Sequence, residues 1–244
     1  MLNHIVIYSG GLDSFTLLHW VRCEIMSRGD QDKQTLTAVS FNYRQRHNKE
    51  LRFASRVCAD LKLAHRIINL GVLQEVSPGS ALTGTLSVPH GHYAADNMKT
   101  TVVPGRNMIM LAVTAAYAES MCGEKDTAVI YYGAHSGDHT IYPDCRPDFI
   151  KPMIQAVSAS SDRCVSMRAP FMDIDKTGIL RRGLSLGLDY TNTWSCYENG
   201  DRPCGKCGAC QERAEAFALN NTIDPSLVAM PKYTDLLPPK EEQT

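Results

Sequence analysis

Short β-branched runs alternate with segments of helical apolar spacing along most of this chain. No other feature narrows the possible folds as much. Residues 4–8, "HIVIY", read as a first strand, and 14–21 follow with apolar positions at Phe15, Leu18 and Val21. "TLTAVSFNY" reads as strand two, and 48–63 as an amphipathic helix with Leu51, Ala54, Val57, Cys58 and Leu61 on one face. "HRIINL" is strand three, "NMIMLAVTAAYAESMC" an apolar helix, "TAVIYYGAH" strand four and 147–159 a helix. "RCVSMRAPF" is strand five, and 175–186 a further helix. Strand alternating with helix implies an α/β fold, doubly wound, with a mostly parallel five-stranded sheet covered on both faces. The 244 residues suit one such domain at 1–190 with a small metal-binding C-terminal element at 191–236; the tail 237–244 is expected to fray. The polar segment 27–34 is a loop. The stretch 71–105, rich in Gly, Pro, Ser and Thr, is too long for an idle loop and is expected to be functional or mobile.

Composition excludes some function classes. Lys and Arg total 25 against 26 Asp and Glu, so a broad nucleic-acid-binding face is not expected. No apolar run approaches a membrane span, and the N-terminus reads as a strand rather than a signal sequence. A cytoplasmic protein with neither membrane nor nucleic-acid partner is the expectation. Nine cysteines without a secretion signal do not suggest a disulfide framework. Five of them, Cys23, Cys58, Cys122, Cys145 and Cys164, are scattered and read as small apolar residues or plain thiols.

In doubly wound sheets ligands bind beyond the carboxyl ends of the strands. Three notable loops fall there: "SGGLDS", "NYRQRH" and "GAHSGDH". In the first, Gly10 and Gly11 let a ligand approach the main chain, Ser9 and Ser14 offer hydroxyls, and the following helix presents free N–H groups to an anion. Asp13 is either a helix N-cap or a ligand for Mg²⁺ riding on a polyphosphate. Near the C-terminus, Cys196, Cys204, Cys207 and Cys210 are spaced C-x₇-C-x₂-C-x₂-C, a metal-ligand pattern open to structural zinc or an iron–sulfur cluster. Arg106 in "PGRN" could point a planar donor fork at phosphate or carboxylate, or belong to a surface loop capping the next helix. Residue type alone leaves "QRH" as a solvated loop, "YPDCR" as a proline turn and Asp175–Lys176 as a helix start.

"SGGLDS" matches the SGG-x-DS motif of the ATP pyrophosphatases, the PP-loop family. With "FNYRQRHNKE", "VVPGRNMIMLAVTAAYA", "YYGAHSGDHTIYPDCRPDFI", "APFMDIDK", "TWSCYENG" and "CGKCGAC", the chain resembles the 7-cyano-7-deazaguanine synthase branch of that family from about residue 5 to the helix after Cys210. The resemblance implies ATP cleavage between the α and β phosphates, adenylation of a carboxylated deazaguanine, and attack by ammonia to give an amide. A second activation then yields the nitrile. It implies an ATP site at Tyr8, Ser9, Gly10, Gly11, Leu12, Asp13, Ser14 and Leu18, with Asp13, Ser14, Arg106 and Lys176 catalytic. It places Gln45, Arg46, His47, Asp138, Tyr142, Asp144 and Arg146 on the substrate. It favours one structural zinc per chain, Mg²⁺ with ATP, small-molecule partners only, and a homodimer. The chain departs from the pattern at Arg44, where a glycine is expected, and around "AHSGDHTI", where Asp138 keeps its place. Two alternatives stand beside this reading. A PP-loop enzyme modifying tRNA by thiolation or lysidine formation would form a salt-sensitive tRNA complex. A non-catalytic zinc-holding nucleotide binder would show no ATP turnover.

Overall fold

The computed structural model describes residues 1–162 and 164–228. In chain order the elements are β1 (Leu2–Ile7), α1 (Leu12–Ser27), β2 (Gln34–Asn42), α2 (Glu50–Asp60), β3 (Ala64–Asn69) and α3 (Val72–Val76). Then come α4 (Arg106–Ser120), β4 (Thr127–Tyr131), α5 (Pro147–Ala159), β5 (Val165–Arg168), α6 (Lys176–Ser185), α7 (Gly208–Leu219) and α8 (Pro225–Val228). The strands form one sheet in the order β3-β2-β1-β4-β5, and every pairing is parallel. β1 is central: Val6 pairs with Ala38 of β2 on one side and Tyr131 of β4 on the other.

Because side chains alternate across a strand, β1 feeds two cores. Ile5 joins Val39, Phe41 and Ile130 beneath α4 and α5, where Leu111 and Ile150 are fully buried. Val6 and Tyr8 face the other way, onto α1, α2, α6 and α7, meeting Leu17, Leu18, Ile179, Leu180 and Phe217. A fully buried leucine of this kind contributes about 1.5–3 kcal/mol. On that side α6 closes against Tyr190, since a Cβ at Gly183 would lie 1.6 Å from the Tyr190 hydroxyl oxygen.

Some boundaries differ from the sequence reading. Strand four stops at Tyr131, and the following "YGAH" turns out of the sheet towards the ligand edge. The stretch 71–105 holds the short helix α3 and a 3₁₀ segment at Asp96–Thr101. The tail expected to fray, the end of the 191–236 element and Arg163 of the expected fifth strand lie outside the described residues. Among the described residues beyond 190, α7 packs against α6. Arg213 of α7 grips Asp224 with both Nε (2.7 Å) and Nη2 (2.9 Å) and donates to Thr193 Oγ1 at 2.8 Å. No helix among the described residues is long and apolar enough to cross a membrane.

Candidate active site

Strand order reverses direction at β1, where β2 leaves on one side and β4 on the other, and the loops after β1 and β4 diverge there. One cleft opens between them and gathers two groups of side chains.

The first group surrounds the glycine loop. Gly10 adopts φ +92, and a Cβ there would lie 2.4 Å from the Glu50 carbonyl oxygen, so the loop packs directly on the start of α2. The Gly10 carbonyl accepts from the Trp194 N–H at 2.9 Å. Helix α1 begins at Leu12 with Gly11 as its N-cap and no side-chain cap, which leaves its first-turn amides for an anion. Asp13 therefore lies inside the first turn and is not the cap. Its Oδ2 stands 3.4 Å from Lys176 Nζ and 3.7 Å from His135 Nε2, while its Oδ1 is buried with no hydrogen-bond partner among the described residues. Burial opposes ionisation of Asp13, but the Lys176 and His135 charges prevail and hold it well below the usual carboxylate range. His135 also meets Asp138 Oδ2 at 3.4 Å. Burial would lower the His135 value, yet Asp138 and Asp13 raise it to about 9. Lys176 is buried and bonded to Glu212 of α7, and despite burial the Asp13 and Glu212 charges push its value up. Asp175 caps α6 through the Gly178 N–H at 2.8 Å, which aims the next residue, Lys176, inward. Ser9 and Ser14 hydroxyls lie 3.1 Å apart at the loop mouth.

The second group is largely aromatic. Arg106, the first residue of α4, lies with its Cζ 5.8 Å from the Tyr142 ring centroid and has Tyr43 and Tyr132 as further phenol neighbours. Burial opposes its charge, yet with those phenols and Asp144 near it the guanidinium is held above its ordinary value. Tyr142 bonds Thr101 Oγ1 at 2.7 Å and the Tyr197 hydroxyl at 3.2 Å. The His47 ring lies against Tyr197, centroids 5.4 Å apart, and burial lowers the imidazole to about 3. Glu50 also lines this part of the cleft.

The cleft thus takes in Tyr8, Ser9, Gly11, Asp13, Ser14, His47, Arg106, Asp138, Tyr142 and Lys176 of the residues singled out in the sequence. The others are placed differently. Leu12 and Leu18 are fully buried core residues, and Gly10 shapes the loop from behind. Gln45 is buried and spent on Tyr43 N, Phe41 O and Glu50 Oε1. Arg46 donates to the carbonyls of Gly84 (3.2 Å) and Leu86 (2.7 Å), pinning the long loop. Asp144 accepts from the Asn107 N–H at the start of α4, and Arg146 donates to the carbonyls of His139 and Thr140. These four side chains organise the walls and do not line the cleft. Sequence reasoning missed His135, Glu50, Tyr197 and Glu212. His135 and Glu50 both sat inside quoted strings, beside residues that drew the attention.

Behind the cleft, the thiol sulfurs of Cys196, Cys204, Cys207 and Cys210 all lie within 4.8 Å of one another. Backbone N–H groups point at the sulfurs: Glu198 and Cys204 to Cys196 Sγ at 3.3 Å, and Cys207 to Cys204 Sγ at 3.3 Å. Four thiols so gathered, with amides directed at them, fit a metal ion. The cluster flanks Trp194 and Ala209, which line the cleft, and Trp194 stacks on Phe53 of α2.

Residues 3–221 match the model of the family described as "Queuosine biosynthesis protein QueC". The chain belongs to the QueC family. It is 48% identical over 221 residues to "7-cyano-7-deazaguanine synthase 1" of Colwellia psychrerythraea, spanning 91% of this chain and 96% of that protein. It is 49% identical to "7-cyano-7-deazaguanine synthase" of Hahella chejuensis, spanning 91% of this chain and 90% of that one. Against the solved structure of a U34-tRNA thiolase from Methanococcus maripaludis the identity is 14% and the TM-score 0.42, covering 93% of this chain and 68% of that one. An overlap that loose carries no argument beside the whole-length likeness to the QueC family.

Proposed function

We propose that this chain converts 7-carboxy-7-deazaguanine and ammonia to 7-cyano-7-deazaguanine at the expense of ATP, forming carbon–nitrogen bonds. The reading is supported by membership of the QueC family together with one cleft lined by both the glycine loop at the start of α1 and the Arg106–tyrosine cluster. A carboxylate cannot exchange oxygen for ammonia near neutral pH unless that oxygen becomes a leaving group. Its oxygen attacks the α-phosphorus of ATP, and the bond to the β-phosphate bridge breaks with release of pyrophosphate. Ammonia adds to the carbonyl carbon, a proton is lost and AMP departs, leaving the amide. A second ATP adenylates the amide oxygen, and loss of AMP and the remaining N–H protons gives the nitrile.

The loop amides and α1 N-terminus receive the departing pyrophosphate, and Lys176 with the His135 cation offsets its charge. Magnesium on the polyphosphate supplies further positive charge when bound, and the ionised Asp13 with its unpartnered Oδ1 suits that ion. Arg106 is placed to hold the reacting carboxylate. The four cysteines suit zinc in a structural role, with every ligand position filled by thiolate. The likeness also carries a homodimer in the cytoplasm as expectations; light scattering on the purified protein tests the dimer.

Product analysis by mass spectrometry with ATP, ammonium and the carboxylated base tests the reaction. Amide and then nitrile should form, with AMP and pyrophosphate. ADP and phosphate as the sole nucleotide products would overturn the adenylation step. Asp13→Asn should slow product formation by at least a hundredfold.

A further inference from the structure

Two features at the aromatic end of the cleft point to a ligand. Arg106 is surrounded by phenols, and among the described residues no carboxylate lies within ion-pair distance of it. On the same wall, Glu50 and His47 are both buried, yet both face the cleft. Glu50 Oε1 accepts from Gln45 Nε2 at 3.2 Å and lies 3.5 Å from His47 Nε2. His47 Nδ1 is buried without a hydrogen-bond partner among the described residues. With Nε2–H donating to the ionised carboxyl, Nδ1 is an acceptor without a donor. Among the described residues, a buried cation with no carboxylate partner and a buried acceptor with no donor thus share one ring-lined cleft.

We propose that Glu50, supported by His47, reads the paired N–H donors of the deazaguanine ring while Arg106 seats its carboxylate. This assignment rests on the reaction proposed above and deepens it by naming the group that selects the base. A guanine-like ring carries a ring N–H directly beside an exocyclic amino group, so two neighbouring hydrogens point the same way. Once ionised, one carboxylate accepts both, and the two N–H donors favour that form against the burial that otherwise holds its proton. Adenine presents its amino group beside an unprotonated ring nitrogen, so the same carboxylate would meet one donor and one lone pair. The wall therefore favours the base over the adenine of ATP. Gln45 fixes the carboxyl from behind, which is why that residue is spent on internal bonds and does not itself touch the cleft.

The test compares wild type and Glu50→Gln with 7-carboxy-7-deazaguanine and with its analogue lacking the 2-amino group. Gln keeps the size of Glu and can still accept from Gln45, and melting temperature and metal content check that the variant folds. Wild type should prefer the true substrate by ~10- to 100-fold in kcat/KM, the value of one buried pairing left unmade. Glu50→Gln should lose most of that preference by falling to the analogue's level on the true substrate, with ATP affinity unchanged. Wild type that handles both compounds alike would overturn the assignment whether or not the variant folds. So would a variant that keeps the full preference, or one that loses ATP affinity instead. Wild type that forms neither amide nor nitrile from the carboxylated base would overturn the reaction itself, and this assignment with it.

Discussion

Burial pushes the Glu50 carboxyl up to about 8, and the Gln45 hydrogen bond and Arg106 charge offset it only in part. An unfolded glutamate releases its proton near ~4.3. Between those values the folded chain holds a proton that the unfolded chain has lost, so stability falls as pH rises through that window. Glu50→Gln removes the linkage. The melting temperature of the variant relative to wild type should climb from pH 5 to pH 8 and level off above; a constant difference would contradict the burial of this acid. The same residue shows what a sequence conceals. Asp13, Arg106 and Lys176 drew attention because each sits in a short string that resembles a family motif, although residue type alone leaves Lys176 as a helix start. Glu50 and His135 acquire their roles only from depth in the cleft and from partners far along the chain, as His135 does from Asp13. Arg146 misled for the converse reason: an arginine in a conspicuous motif can spend its donors on loop carbonyls.

Among the elements, α1 separates packing from binding. Leu18 belongs to the string that resemblance assigns to ATP, yet its side chain is fully exhausted in the core. Leu18→Ala should cost ~2–5 kcal/mol in denaturant unfolding and leave ATP affinity unchanged at temperatures where the variant is folded. A selective loss of ATP affinity would show that the core position and the site are not separable. The turn after β2 carries strain. Arg44 adopts φ 58, a conformation that costs a side chain ~1–2 kcal/mol, and this is the position where the family pattern expects glycine. Arg44→Gly should raise stability by ~1 kcal/mol, read from the urea midpoint at unchanged slope. The five strands and their parallel pairing could be read from the alternation of strands with helices, whereas the strand order could not. The ends of those elements could not. Where β4 stops depends on the cleft that "YGAH" has to line, and α3 depends on packing of Leu73 into the core.

For the molecule as a whole, the cysteine cluster and the glycine loop form one mechanical unit. Trp194 N–H holds the Gly10 carbonyl, the cluster packs beside Trp194, and α7, which begins at Gly208, brings Glu212 to Lys176. Removing the metal should therefore lower the melting temperature and abolish product formation in parallel, because metal-binding energy in such a site is folding energy. Cys207→Ser should do the same; full activity in metal-free protein would break the link. A further consequence concerns the order in which the molecule is made. The sheet is complete at Arg168, whereas the groups that brace the loop begin at Trp194 and end past Arg213. Domains tend to fold from the N-terminus as the chain emerges. A chain still on the ribosome can thus assemble its entire sheet, with the glycine loop at the heart of it, and lack the brace that makes the loop fit to grip a nucleotide. Chains cut short before Trp194 would lack both that brace and the Phe217 side of the core, and could not hold a nucleotide in the loop.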